Sequence, residues 1–256
     1  MSAPDSYGGG GKRHFRPTLW ATVFTIPALI ILIALGTWQV QRLGWKEEQI
    51  VIRHERSQPP GMELPASFPD PDALEFTRVK LRGSFLHGQE FYLGARTESG
   101  RVGIAVVTPF RLEDGRILLV NRGWVPEERR DPATRAEGQL QGEIEIEGLL
   151  RTDGWKGLDF AKPPNSPEKR FYFWLDLPVM ARTLNGGGVD GPIIEEMYAD
   201  AVASDIPGGL PIGGQTRIQL KNDHLEYAIT WYSFAVILAV IYVLFHYRRE
   251  DESSDA

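Results

Sequence analysis

The chain has 256 residues, of which 42% are hydrophobic and 24% charged, with a formal net charge of -6 and a mean hydropathy of -0.24. The acidic balance, with no basic stripe outside two apolar runs, excludes a nucleic-acid binder. The absence of cysteine removes disulfides, thiolate metal sites, CxxC redox chemistry and haem attachment through C-x-x-C-H.

Residues 1 to 11 are rich in glycine, with Ser, Pro and Asp among them, and such a segment buries too little surface to order itself. The composition predicts a disordered tail over 1–18. A mitochondrial presequence would be amphipathic, Arg-rich and poor in acids, so this start points to a bacterial source. Lys12, Arg13 and Arg16 then precede Leu19–Val40, an uncharged run interrupted by Pro27 and Gly36 and long enough to cross a bilayer as a helix. A cleaved signal peptide is the competing reading, with Ala34-Leu35-Gly36 as the small-x-small site. The run is longer than a signal core and continues past that site, which favours the membrane helix.

Gln41 to Gln58 extends the helix into water as far as the break at Pro59-Pro60-Gly61. From Thr77 the period changes to two, with Thr77, Val79 and Leu81 alternating with Arg78, Lys80 and Arg82, the pattern of a half-buried strand. Further strands are expected at 89–93, 103–112, 116–120, 143–150, 171–175, 193–202 and 216–220, with a hairpin turn at Glu113-Asp114-Gly115. Asp176 and Pro178 start a short helix that ends at Asn185 and three glycines. Asn121-Arg122-Gly123-Trp124-Val125-Pro126 reads as a polar turn with a packed tryptophan, or as a binding loop.

A second apolar span follows Lys221-Asn-Asp-His-Leu-Glu-Tyr, uncharged from Tyr227 to Tyr247 with His246 neutral, and roughly the 30 Å of a bilayer core in length. Flanking positive charges nearly balance at both spans. The short tails then decide orientation, which places both ends in the cytoplasm. The expected architecture is an α+β membrane protein: transmembrane helices at 19–40 and 227–247 flank a β-rich extracytoplasmic domain over 41–226, with a cytoplasmic tail at 248–256.

Catalytic signals are few. HExxH, G-x-S-x-G, P-loop, Rossmann and EF-hand patterns are all absent, and the five histidines, at 14, 54, 87, 224 and 246, are scattered. His224 stands out because it leads into the second span, and Ala228, Trp231 and Ala235 fall on its helical face at i+4, i+7 and i+11. Imidazole is a common axial ligand of haem iron, and an aromatic ring one or two turns deeper could line a macrocycle. The ordinary alternative is an interfacial histidine beside an aromatic belt, with Asp223 and Glu226 as a capping box. Arg42 and Lys46, beside Trp38 and Trp45, read as interfacial anchors or as partners of an anionic group such as a propionate.

From Arg16 to Arg248 the motifs, in order, are Leu35-Gly-Thr-Trp-Gln-Val-Gln-Arg42, the Gly103–Pro109 strand, Val120-Asn-Arg-Gly-Trp-Val-Pro126 and Asn222-Asp-His-Leu-Glu-Tyr-Ala-Ile-Thr-Trp-Tyr232. Together they resemble the Surfeit locus protein 1 family. The resemblance implies an assembly factor for haem-copper terminal oxidases, not an enzyme, that acts when haem enters the catalytic subunit. It further implies noncovalent, transient binding of haem a, with His224 matching the metal ligand and Trp231 lining the same site. Implied partners are that catalytic subunit and the enzymes of haem a synthesis, and the implied location is the bacterial inner membrane with the domain in the periplasm. The alternative is a scaffold that stabilises an oxidase assembly intermediate without touching haem.

Overall fold

A computed structural model describes residues 13–15, 17–155 and 157–249. The rest of the two expected tails, including Lys12 and Arg16, lies outside the described residues. Two units emerge: residues 1–49 with 221–256, and residues 50–220.

The first unit is a helical hairpin. Helix α1 runs from Leu19 to Ser57, continuing past residue 49 into the second unit, and the last helix spans His224–His246. Both are long and apolar enough to cross a membrane, and their most apolar stretches are only 6% and 11% buried. A soluble core helix would bury such surface, so this exposure sets the pair apart from one. Strand β1 (Arg13–Phe15) precedes α1 and pairs antiparallel with the strand after the last helix (Tyr247–Arg249). Residues read from sequence as tails therefore close the hairpin at one end. Thr18 Oγ1 meets His246 Nε2 at 3.0 Å and Thr22 Oγ1 meets Tyr242 OH at 2.6 Å. In an apolar solvent such polar contacts fix the register of two helices that lack a hydrophobic driving force toward each other.

The second unit is built on a sheet of strands β2 (Met62–Glu63), β3 (Arg78–Phe85), β4 (Phe91–Glu98), β5 (Arg101–Leu112), β6 (Ile117–Pro126), β7 (Ile144–Arg151), β8 (Phe171–Tyr172) and β9 (Tyr198–Ala201). Helix α2 (Leu177–Gly186) packs on it; the later helix and strand of the first unit are α3 and β10. The order is β2-β3-β7-β9-β6-β5-β4-β8, and β3 also pairs with β5 through Gly83–Leu112, Ser84–Arg111 and Phe85–Phe110. Strands β3, β7, β9, β6 and β5 thus close a ring. Closure removes exposed sheet edges from those five strands.

The ring has a core inside and a second core outside. Val79, Leu81, Phe110, Leu118, Val120 and Leu150 form one cluster. Phe91, Val107, Ile117, Leu119 and Tyr172 form the other with Leu177, Met180 and Leu184 of α2. Strands β5 and β6 are therefore covered on both faces, which is why they read as continuous apolar runs, whereas β3 alternates. Helix α2 begins where the Asp176 carboxylate accepts from the Val179 amide at 3.2 Å.

Besides the strand expected at 171–175, which shortens to Phe171–Tyr172, three sequence expectations change. Residues 121–126 continue β6 instead of turning, because an extra residue, Arg122, is absorbed as a bulge between the Val106–Gly123 and Val107–Asn121 pairs. The strand expected at 193–202 shortens to Tyr198–Ala201, with one bridge from Ile193 to Ile117. Residues 216–220 alternate half-buried and exposed as a strand would, yet form no ladder. Thr216 instead donates to Asp200 Oδ2 at 2.7 Å. Alternation specifies which side faces the core; pairing needs a neighbour at the right height, and the ring is already closed.

Candidate functional site

His224 is the first residue of α3, and its ring is half-buried. Asp223 does not cap the helix with its side chain; that carboxylate pairs with Lys221 Nζ at 2.6 Å, so the expected capping box does not form. His224 Nδ1 lies 2.7 Å from Gln39 Oε1 on α1. An amide oxygen only accepts, so Nδ1 carries the proton and the lone pair resides on Nε2. Nε2 makes no hydrogen bond among the described residues. This is the arrangement that orients metal-bound histidines, in which the distal nitrogen donates to a fixed acceptor.

Gln39 is itself buried, and an amide in an apolar helix costs free energy unless it is paired. Its pairing depends on close approach of the helices at Gly36, one turn earlier on the same face of α1. A Cβ added at Gly36 would lie 2.8 Å from Tyr232 Cε1 and 2.9 Å from Cζ. The Tyr232 hydroxyl meets Thr37 Oγ1 at 3.1 Å. Ala228 falls between these contacts along α3 and is 2% exposed. The face with Ala228 and Ala235 is thus buried within the hairpin, not open to a flat ligand as the spacing suggests. Trp231 is half-buried, edge-on to Phe234 with centroids 6.2 Å apart. Arg42 stacks on Trp45 at 4.1 Å, the geometry of an interfacial anchor.

Within the domain, each residue of the Asn121–Trp124 segment has a separate task. Asn121 Nδ2 donates to Asp200 Oδ1 at 2.7 Å, joining β6 to β9. Gly123 has φ +114, and a Cβ there would lie 1.9 Å from Ile212 O. That approach permits the paired bonds between Trp124 and Ile212, at 2.9 and 2.8 Å. Arg122 turns into a buried cluster: its guanidinium donates to Gly138 O, reaches His87 Nδ1 at 3.4 Å and lies 3.7 Å from Glu90. Arg135 holds both oxygens of Glu90. Among the described residues no three His, Asp or Glu side chains converge as a metal site.

The model of the SURF1 family matches residues 26–236, which include the Gly36–Tyr232 and Gln39–His224 contacts of the hairpin and the whole domain. The chain belongs to the SURF1 family. It is 35% identical over 254 residues to a SURF1-like protein of Monosiga brevicollis, covering 95% of this chain and 90% of that one. It is 37% identical to Surfeit locus protein 1 of Rattus norvegicus over 90% of this chain and 76% of the relative, and 37% identical to that of Homo sapiens over 83% and 73%. These SURF1 relatives are eukaryotic. His224, Trp231, Gly36, Gln39 and Arg122 all fall inside the SURF1 match.

Sequence reasoning singled out His224 and Trp231 but missed Gln39 as the partner of the histidine. The available signal was its polarity inside an apolar run, three residues after Gly36 and therefore on the same helical face.

Proposed function

We propose that this SURF1 family member is an assembly factor for a haem-copper terminal oxidase, which carries haem a as transient cargo and presents it to the catalytic subunit. In this reading α1 and α3 span the bacterial inner membrane with residues 41–226 on the periplasmic side, and His224 near the surface supplies the axial ligand. The observation that carries it is the His224–Gln39 hydrogen bond at 2.7 Å, which holds the imidazole with its proton on Nδ1 and leaves Nε2 to donate to iron. Trp231 supplies apolar surface to the ring. A single histidine and no thioether bond suit cargo that must leave again, and the absence of cysteine makes the binding noncovalent. Haem a brings the redox-active iron that the oxidase uses; the chain's own task is to bind, orient and shield it.

The test is purification of the full chain from membranes of cells that make haem a. Wild type retains haem a at the optical bands of the low-spin or high-spin complex, and His224→Ala loses most of it while still inserting in the membrane. Equal occupancy in the two proteins would remove His224 from the site. A colourless wild type that still captures the oxidase subunit would replace the haem carrier with a scaffold.

A further inference from the structure

The bulge at Arg122 points a guanidinium toward one end of the strand ring. There, a cavity of about 360 Å³ opens between β3, β7 and the segment after β9, with Phe85, Arg122, Leu140, Ile146, Val202 and Ile206 among its lining. This volume suits a small organic ligand.

The charges around the cavity are unevenly answered. On its wall Arg78 and Glu147 pair at 2.5 Å, and Glu145 pairs with Arg82 at 2.7 Å. Asp205 lies at the exposed mouth. Behind the cavity, Glu90 is the carboxylate between two buried guanidiniums, and both its oxygens bond Arg135. Arg122, 4% exposed, stands farther from Glu90, at 3.7 Å, and covers the Phe85 ring at 4.7 Å. One carboxylate and two guanidiniums leave one buried positive charge in excess. Burial pulls the Arg122 guanidinium down to about 10, still protonated at neutral pH. An uncompensated buried charge is costly, and an anion held against it offsets that cost.

We propose that this cavity binds a small organic monoanion, with a carboxylate against Arg122 and a compact apolar body against Phe85, Ile146 and Val202. The Arg122 guanidinium, beside the apolar side chains of Phe85, Ile146 and Val202 and with the other wall charges already paired, favours this class over neutral and cationic molecules. Bulges recur beside binding sites because they re-aim one side chain without ending the strand, and Arg122 is the extra residue of this one.

The test uses the purified full chain in detergent micelles and fluorine NMR titration of 4-(trifluoromethyl)benzoate, with 4-(trifluoromethyl)benzamide as neutral isostere and protein-free micelles as blank. The benzoate should bind saturably and about tenfold or more tighter than the benzamide, the worth of one charge-assisted contact. Arg122→Met should reduce benzoate to the level of the benzamide. Val202→Trp fills the cavity while keeping every member of the charged cluster and should abolish saturable binding of both probes, so it decides the matter if Arg122→Met fails to fold. Equal affinity for the two probes, benzoate binding no different from the blank, or benzoate binding unchanged in Val202→Trp would overturn the proposal.

Discussion

Replacing Glu90 by Gln keeps the shape of the buried cluster and removes its charge. The carboxylate accepts two bonds from Arg135 and faces Arg122, and all three residues are at most 5% exposed. The amide retains one acceptor oxygen but leaves two guanidiniums with no anion between them. Breaking a buried ion pair by removing one partner costs about 3–5 kcal/mol, because the survivor stays desolvated and uncompensated. Here two survivors also repel each other, so the upper end of that range is expected. Pulse proteolysis in increasing urea, on the full chain in micelles, reads the folded population of the domain while the micelle protects the apolar helices. The charge argument makes a second demand: adding Arg135→Met to Glu90→Gln should cost at least about 1 kcal/mol less than the two single changes summed. Loss of less than about 1 kcal/mol in Glu90→Gln, with strict additivity in the double variant, would refute the charge balance drawn for this cluster.

Three further outcomes are expected. Gly123→Ala forces a Cβ into Ile212 O at a φ of +114. Strain of about 1–2 kcal/mol plus two weakened backbone bonds at about 1 each predicts a loss of about 3–4 kcal/mol by the same proteolysis. His87 is held below its ordinary value of 6.5, chiefly by burial, with Nε2 donating to Leu140 O at 2.8 Å. The unfolded chain therefore takes up a proton that the folded domain refuses, so stability is full above about 6.5 and declines as pH falls below it. His87→Gln should flatten the midpoint between pH 7.5 and about 5.5, and an equally steep decline in the variant would remove His87 as its source. Gly36→Leu pushes on the Tyr232 ring and separates Gln39 from His224, so it should lower haem occupancy while leaving the urea midpoint of the domain unchanged.

The apolar spans, the Glu113–Gly115 hairpin and α2 were legible in the sequence because each is set by local chemistry: length, period, turn residues and caps. The closure of β3 onto β5 was not, since pairs such as Phe85 with Phe110 depend on strand order, which side-chain alternation does not encode. Residues 216–220 show the same limit from the other side, with a strand's alternation and no ladder. Arg122 was read as part of a turn because a bulge and a turn share their polar and glycine signals, and the difference lies in whether the partner strand continues. At the candidate site, His224 was visible by its place at the start of an apolar run. Gln39 became its partner only once the helices were in antiparallel contact, a pairing 185 residues apart in the chain. Burial of the Ala228 face followed from the same contact, which a helical wheel of α3 alone does not contain.

The proposed haem site rests on His224 Nε2 as iron ligand with Nδ1 tied to Gln39. Resonance Raman spectroscopy of the ferrous haem a complex reads that bond through the iron–histidine stretch, whose frequency rises as the Nδ1 partner becomes a stronger acceptor. The account predicts the band in wild type, at higher frequency in Gln39→Glu, at lower frequency in Gln39→Leu, and absent in His224→Ala. A band that stays at one frequency in both Gln39 variants and survives in His224→Ala would contradict it.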